Sequence, residues 1–358
     1  MTQTQLEQLP IPLLLWYRDN ARVLPWRSAP TPYGVWVSEI MLQQTRVAAV
    51  LDYYRRFLEA APDPAALAAL PEDQLMKLWQ GLGYYSRARN LQKAARQIMD
   101  DFGGAFPSTY EDIHSLAGVG DYTAGAIASI AFGLPVPAVD GNVLRVTARI
   151  TGDEGDITSP AMKKKVTAAL AEIIPVDAPG AFNQAMMELG ATVCLPNGAP
   201  QCHRCPAAFL CRAHREGTTG RIPVKAPKKP RRVEERRVYL LFHKNAVALR
   251  RRSARGLLAG LWEYPNAPAD EPDFLNELGL APQGLTLAAV GKHIFTHIEW
   301  HLTALAGELP GDELPPGWVW AELSQLREIY ALPNAFQFAA PAVERRLAKT
   351  ESEGGTAI

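Results

Sequence analysis

Residues 116–133 read LAGVGDYTAGAIASIAFG. Gly118 and Gly120 flank Val119, and a strong helical run begins immediately afterwards. A Gly-Val-Gly turn lets the backbone approach a ligand closely, and the helix behind it offers unpaired N–H groups and the positive end of its dipole. A phosphate suits that setting. A plain glycine turn between two helices is the ordinary account of a bare G-x-G, so the stretch predicts helix–turn–helix and leaves the ligand open. The uncharged span from Tyr122 to Val139 is long enough to query as membrane-spanning. Its Thr, Ser and glycines, with Pro135 and Pro137, mark it instead as a buried helix followed by a turn.

The surroundings agree. Residues 1–220 read as helices joined by short turns, with apolar residues at three- and four-residue spacing in VAAVLDYYRRFLEA (47–60), EDQLMKLWQGL (72–82) and NLQKAARQIM (90–99). Thr45, between LQQ and a new helical run, is expected to be an N-cap. Residues 221–237, RIPVKAPKKPRRVEERR, carry three Pro and eight Lys or Arg and are expected to form an extended basic linker without a core. The pattern then alternates. RRVYLLFHKNAVALRRR (236–252) predicts two strands around a Lys-Asn turn, and LTLAAVGKHIFTHIEWHLTALAGEL (285–309) predicts two more. ELSQLREIY (322–330) and PAVERRLAK (341–349) read as amphipathic helices, and residues 347–358 as a disordered tail. The fold class expected is therefore multidomain: an all-α first part, a linker, and an α/β module at 238–346.

Composition excludes some classes. The 358 residues are 47% hydrophobic and 21% charged, which is ordinary for a soluble globular protein, and the N-terminal stretch lacks the basic region of a signal peptide. Net charge is zero, so overall charge does not announce nucleic acid. Lys163–Lys165, residues 225–232 and Arg250–Arg252 are local basic runs, each readable as a solvated face.

Three further features carry chemistry. All four cysteines lie within CLPNGAPQCHRCPAAFLC, as Cys194, Cys202, Cys205 and Cys211, spaced C-x7-C-x2-C-x5-C. Disulfide frameworks belong to small secreted domains, so a tetrathiolate metal site in a reducing cytoplasm is the better reading. Zinc ribbons use two close pairs and only one C-x2-C is present, so a cubane iron–sulfur cluster suits the run at least as well; the spacing leaves both metals open. Asp140, in PAVDGNVLRVTARI, sits at or just before a helix N-terminus that favours its ionised form, where it is also an ordinary N-cap. Glu39, in VWVSEIMLQQT, shares a predicted helical face with Gln43 and Arg46. That face is either a polar stripe toward water or a cleft wall where desolvation keeps the carboxyl protonated.

Taken together, VSEIMLQQTRV (37–47), GLGYYSRARNL (81–91), LAGVGDYTAGAI (116–127), AVDGNVLRV (138–146) and AFNQAMMELGATVC (181–194) resemble the adenine DNA glycosylases, the MutY family, within the helix–hairpin–helix endonuclease III superfamily. The resemblance is dense over residues 10–215 and weaker beyond. It implies a glycosylase core at 1–220 with its helix–hairpin–helix at 110–133, and one [4Fe–4S] cluster held by the four cysteines of the 194–211 loop. The first cysteine gap is one residue longer than usual in the family, an insertion expected to loop out. Double-stranded DNA with adenine opposite 8-oxoguanine or guanine is the implied partner, bound by a monomer in the cytoplasm, at the nucleoid, without a membrane.

The resemblance also implies roles. Glu39 would be the general acid, Asp140 the ionised carboxylate that stabilises or traps the sugar cation, and Asn142 its orienting partner. Trp26, Arg27, Tyr122 and Glu188 would line the adenine pocket. Gly118 and Gly120 would clamp a phosphate, Gln44 would fill the gap in the stack, Thr45 would contact DNA, and Tyr84 or Tyr85 would lie near the partner base. Bifunctional relatives carry Lys where this chain has Tyr122, so a monofunctional enzyme leaving an abasic site is expected. The C-terminal module looks like a degenerate Nudix domain: GLLAGLWEYP (256–265) resembles its glycine-rich start, while DEPDFLNELGL (270–280) lacks the Glu-rich box. Phe295, Thr296 and His297 would form the loop that reads 8-oxoguanine, Thr296 standing where the family usually has Ser. Two competing readings are an endonuclease III-like pyrimidine-lesion glycosylase/lyase and a non-catalytic DNA-binding redox sensor.

Overall fold

The computed structural model describes residues 3–227, 230–271 and 274–354. In chain order its helices are α1 (Gln3–Leu6), α2 (Pro10–Asn20), α3 (Pro25–Ser28), α4 (Pro32–Leu42), α5 (Val47–Ala60), α6 (Pro64–Ala69), α7 (Glu72–Trp79), α8 (Ser86–Asp101), α9 (Tyr110–Ser115), α10 (Asp121–Phe132), α11 (Gly141–Thr151), α12 (Pro160–Ala171), α13 (Pro179–Thr192), α14 (Arg212–Arg215), α15 (Phe274–Glu277), α16 (Leu323–Glu328) and α17 (Ala340–Gly354). The chain forms two units. One is helical and runs to Ala69, then resumes at Arg89 as far as the linker; the other takes in Leu70–Ala88 and the C-terminal module. The one-piece helical part expected from periodicity is thus interrupted, because helical spacing reports local structure and not which core a helix joins.

In the helical unit, side-chain caps fix where helices start. Thr31 accepts the Gly34 N–H ahead of α4, Asp140 the Val143 N–H ahead of α11 and Ser159 the Met162 N–H ahead of α12. Gly133 and Gly152, both left-handed, end α10 and α11. Between α9 and α10 the Val119 N–H donates to the Leu116 carbonyl at 3.0 Å, and Gly118 at φ +77° occupies the third place of that turn. The glycine hairpin is therefore built as expected. Helices α11, α12 and α13 share a core in which Val143, Val146, Val166, Phe182, Met186 and Leu189 are buried, each large side chain contributing roughly 1.5–3 kcal/mol. At Gly190 a Cβ would come within 2.5 Å of the Asn142 Cβ, so α13 and α11 cross there almost backbone to backbone.

Two local expectations fail. Helix α4 stops at Leu42, with Gln43 as its C-cap and Gln44 at φ +60°, so Glu39, Gln43 and Arg46 do not share a helical face. Arg46, not Thr45, is the N-cap of α5; the Thr45 hydroxyl instead donates to the Gln43 carbonyl at 3.4 Å. The left-handed turn at Gln44 breaks the periodicity on which both readings relied.

The second unit is built on β1 (Arg232–His243), β2 (Ala246–Arg251), β3 (Trp262–Glu263), β4 (Asn266–Pro268), β5 (Gln283–Ile294), β6 (Ile298–Glu308) and β7 (Trp318–Glu322). The sheet runs β3-β2-β1-β6-β5, with β4 on β1 and β7 on β2; only the β1–β6 pair among these is parallel. Alternation sends Val238, Leu240, Phe242, Trp300 and Leu302 toward Phe336, Val343 and Leu347, and Tyr239 and Leu241 toward Leu275 on the other face. The Lys-Asn turn is present, with Lys244 at φ +50°. The basic linker is shorter than expected, since β1 already begins at Arg232 and its parallel pairing with β6 claims residues 232–237. The tail is also more ordered than expected: α17 continues to Gly354, and residues 355–358 lie outside the described residues. Residues 70–88 join this unit through polar bonds, Lys77 Nζ donating to the Leu326 carbonyl and Gln80 Nε2 to that of Leu332, both at 3.0 Å. No helix among the described residues is long and apolar enough to cross a membrane.

Candidate active site

A cleft of about 780 Å³ opens in the helical unit, and its lining includes Trp26, Arg27, Glu39, Tyr122, Asp140, Asn142 and Glu188, with Gln43, Gln44, Thr45, Arg46, Gly118 and Gly120 at other points of its wall. Residues that α4 could not align on one face thus meet through the loop after it.

Glu39 lies in a helix whose neighbours Val35, Trp36, Val37, Ile40 and Met41 are all buried, and it is itself only 6% exposed. Burial pushes its carboxyl up to about 7; the hydroxyl of Tyr122, which donates to Oε2, pulls the other way, Asp140 adds to the rise and Arg27 opposes it. Tyr122 also lies 3.2 Å from the Met187 sulfur, and burial together with the Glu39 charge raises its phenol far above the ordinary tyrosine range. The phenol therefore stays protonated and acts only as a donor.

Asp140 is desolvated too, but it has more donors. Its Oδ1 accepts the Val143 N–H at 2.8 Å and its Oδ2 accepts from Asn142 Nδ2 at 2.7 Å. Burial raises its carboxyl, while these donors and the Arg145 cation counter the rise. Two oxygens that each accept a hydrogen bond suit a carboxylate. Asn142 is oriented in turn by Arg145, whose Nη2 donates to Asn142 Oδ1 at 2.9 Å and to the Gly190 carbonyl at 2.8 Å, while its Nε donates to the Cys194 carbonyl at 2.8 Å.

Glu188 is fully buried and charge-paired. Arg22 reaches its two oxygens at 2.6 and 2.8 Å, and Arg27 adds a bond of 2.9 Å. Burial would raise this carboxyl, but the two guanidinium groups overcome it and hold it below the usual range. Arg22 was not singled out from the sequence; an arginine in a loop carries no periodic signal, and only the fold brings it to Glu188. Trp26 lines the cleft yet is 5% exposed and packs edge-on against Tyr54 at 5.1 Å, so it also serves the core. At the hairpin, Asp121 starts α10 and holds Lys163 at 3.0 Å and His114 at 3.1 Å.

The four cysteines line a separate small cavity of about 20 Å³ together with Arg149 and His214. Arg149 Nη1 lies 3.2 Å from the Cys194 sulfur. Among the described residues no group of three or more His, Cys, Asp or Glu side chains is close enough to hold one metal ion. Zinc, with Zn–S bonds of about 2.3 Å, would draw its four sulfurs to within about 4 Å of each other. Four thiols lining one cavity are a donor set for a thiolate-held metal group, and the arginine donor beside the Cys194 sulfur favours its ionised form.

In the α/β unit, Phe295–His297 form the β5–β6 turn, closed by the Phe295 N–H donating to the Ile298 carbonyl at 2.8 Å. Phe295 packs against His293 and Trp300 at 4.5 and 4.9 Å, while Thr296 and His297 are exposed. Of the two tyrosines, Tyr85 is 6% exposed and Tyr84 48%. Tyr84, at φ +47°, places its hydroxyl 3.3 Å from Thr296 Oγ1. Glu263, in the glycine-rich stretch, is buried and paired with Arg250 and Arg252.

Comparison with known proteins identifies the family. The sequence profile of the HhH-GPD superfamily of base excision DNA repair proteins matches residues 37–175, and that of the NUDIX domain matches residues 237–339. The adenine DNA glycosylase of Rattus norvegicus is 36% identical, over 88% of this chain and 74% of its own length. That of Homo sapiens is 36% identical over 86% and 69%, and that of Buchnera aphidicola subsp. Acyrthosiphon pisum 33% identical over 87% and 88%. The chain belongs to the adenine DNA glycosylase family. Two solved structures share its helical fold. A thermostable thymine-DNA glycosylase aligns with a TM-score of 0.55 at 27% identity, over 60% of this chain and 99% of its own. Endonuclease III in a non-covalent DNA complex aligns with a TM-score of 0.52 at 26% identity, over 61% and 98%.

For this family member the Tyr122–Glu39 bond yields a prediction whose sign follows from the arrangement. The bond lowers the proton affinity of Glu39, so Tyr122→Phe leaves Glu39 protonated to higher pH. The alkaline limb of the single-turnover pH–rate profile should move upward from about 7, with the plateau rate reduced about tenfold by loss of a hydrogen bond to a charged group. An unmoved limb would remove the bond from the account.

Proposed function

We propose that this protein excises adenine paired with 8-oxoguanine or guanine in duplex DNA and leaves an abasic site. The observation that carries the reading is the pair of unlike carboxyls in one cleft: Glu39, raised to about 7 by burial, and Asp140, its oxygens accepting from Val143 and Asn142. Acid on one side and carboxylate on the other is what hydrolysis through an oxocarbenium-like state needs.

The duplex is bent and the adenine nucleotide extruded, at a cost of a few kcal/mol. Gly118, Gly120 and the N-terminus of α10 hold a backbone phosphate, Gln44 fills the gap left in the stack, and Thr45 contacts the DNA. The base enters the pocket of Trp26, Arg27, Tyr122 and Glu188. Glu39 gives its proton to a ring nitrogen, and the glycosidic bond breaks with its electron pair leaving on neutral adenine. Asp140 stabilises the sugar cation or closes on it as a transient ester, with Asn142 fixing its orientation. Water then bonds to the anomeric carbon and returns a proton to the Glu39 carboxylate. Tyr122 has no amine, so no Schiff base forms and the strand stays intact. Tyr84 and the exposed Thr296 and His297 read the base opposite.

The four cysteines would hold one [4Fe–4S] cluster, a reading supported by four thiols that line one cavity and by their single compact run in the sequence. When bound, the cluster ties the loop between α13 and α14 together. Protein purified without oxygen should carry about four irons with as many acid-labile sulfides, and one zinc per chain would overturn that assignment.

Base release from duplexes with adenine opposite 8-oxoguanine, guanine, cytosine or thymine tests the function. Release from the first two is expected, with no product trapped by borohydride, and Glu39→Gln should slow it by about a thousandfold or more. Release of oxidised pyrimidines with strand cleavage would favour the lyase reading, and unchanged release in Glu39→Gln would remove the acid.

A further inference from the structure

The proposed lesion-reading turn carries one side-chain tether from outside its own hairpin main chain that nothing above uses. Thr296 lies between two peptide carbonyls, those of Phe295 and His297, and both are held by the residues that lead into β1. The Arg232 N–H donates to the His297 carbonyl at 3.1 Å, continuing the parallel β1–β6 register that pairs Arg232 with Ile298. One residue earlier, Arg231 Nε donates to the Phe295 carbonyl at 3.0 Å. The first bond belongs to the main chain and would survive a change of side chain. The second depends on the residue type, because only a planar guanidinium presents a fixed Nε–H; the ammonium of Lys is a freely rotating point charge. Arg231 is exposed, and it is the last residue before the strand, at the end of the basic run that composition alone reads as a solvated face.

We infer that Arg231 is a specificity-determining positioning residue, bracing the peptide ahead of Thr296 so that Thr296 and His297 are presented to the base opposite the adenine. The specificity half of this rests on the proposed reading of the turn; the brace itself does not. Fixing the peptide before Thr296 and the one after His297 restricts the backbone of the two exposed residues between them, so the Thr296 hydroxyl meets a base edge with less ordering of the turn. Arg231 touches no reacting atom, and its effect should fall on partner-base preference while leaving base release itself alone.

Arg231→Ala and Arg231→Lys in the full-length, cluster-containing protein separate the brace from a simple phosphate contact, since Lys keeps the charge and loses the fixed donor. Two readouts are needed. In DNA-free protein, amide hydrogen exchange at Phe295, whose N–H closes the turn, should quicken in both variants, with the thermal unfolding temperature unchanged. In single-turnover assays, the ratio of rates for adenine opposite 8-oxoguanine and opposite guanine should fall about fivefold in both, the worth of one hydrogen bond, while the rate opposite guanine stays at the wild-type value. Unchanged exchange in both variants overturns the brace. Full preference in Arg231→Lys with loss in Arg231→Ala reduces Arg231 to a charge, and an equal fall on both duplexes makes it structural; either overturns the proposal. Wild-type protein that does not distinguish the two duplexes fails the reading of the turn and removes the specificity role, while the exchange data still decide the brace.

Discussion

Two desolvated carboxyls lining one cleft cannot both be comfortably ionised, and the surroundings of Glu39 and Asp140 decide which keeps its proton. Desolvation acts on both. The difference lies in hydrogen bonding. Asp140 caps a helix and receives two donors, from a backbone N–H and an amide, whereas Glu39 is set in an apolar helix and receives the Tyr122 hydroxyl. The negative charge of Asp140 then makes ionising Glu39 costlier still. Division of labour between chemically similar groups thus follows from where each sits in its helix: Asp140 at a start, where N–H groups are unsatisfied, and Glu39 inside, where they are not.

Helix α11 carries that arrangement to the cysteine loop. Asp140, Asn142, Arg145 and Arg149 follow one another along it, and each is bonded onward, Asn142 to Arg145, Arg145 to the Cys194 carbonyl, and Arg149 to the Cys194 sulfur and the Leu195 carbonyl. The close crossing at Gly190 lets Arg145 reach across α13. Two basic residues whose charges are partly buried need acceptors, and the carbonyls released at the end of α13 provide them. The cysteine loop and the cleft are for this reason parts of one hydrogen-bonded framework rather than separate attachments.

Much of this is legible in the sequence. The glycine hairpin, the Asp140 cap, the four strands flanking two turns and the clustering of the cysteines all come from short-range rules: turn chemistry, capping and alternation. What was missed depended on longer range or on a single backbone dihedral. The left-handed Gln44 ended α4 early and moved Gln43 and Arg46 off the face of Glu39, although the loop returned them to the same cleft. Residues 70–88 carry a good helical pattern, but Lys77 and Gln80 find their acceptors some 250 residues later. Arg22, the partner of Glu188 at a separation of 166, left no trace in the sequence. Strand pairing likewise shortened the linker, since an edge looking for hydrogen bonds can recruit Arg- and Glu-rich chain that composition would leave extended and free.

The protonation state of Glu39 can be observed directly. Infrared difference spectra across a pH titration, with Glu39→Gln as the subtraction that assigns the band, report the carbonyl stretch of the protonated carboxyl. A band present in mildly acid solution and half lost at about pH 7 is the result expected. A carboxylate spectrum throughout that range would mean that burial does not hold the proton on Glu39, and the division between the two carboxyls would not stand.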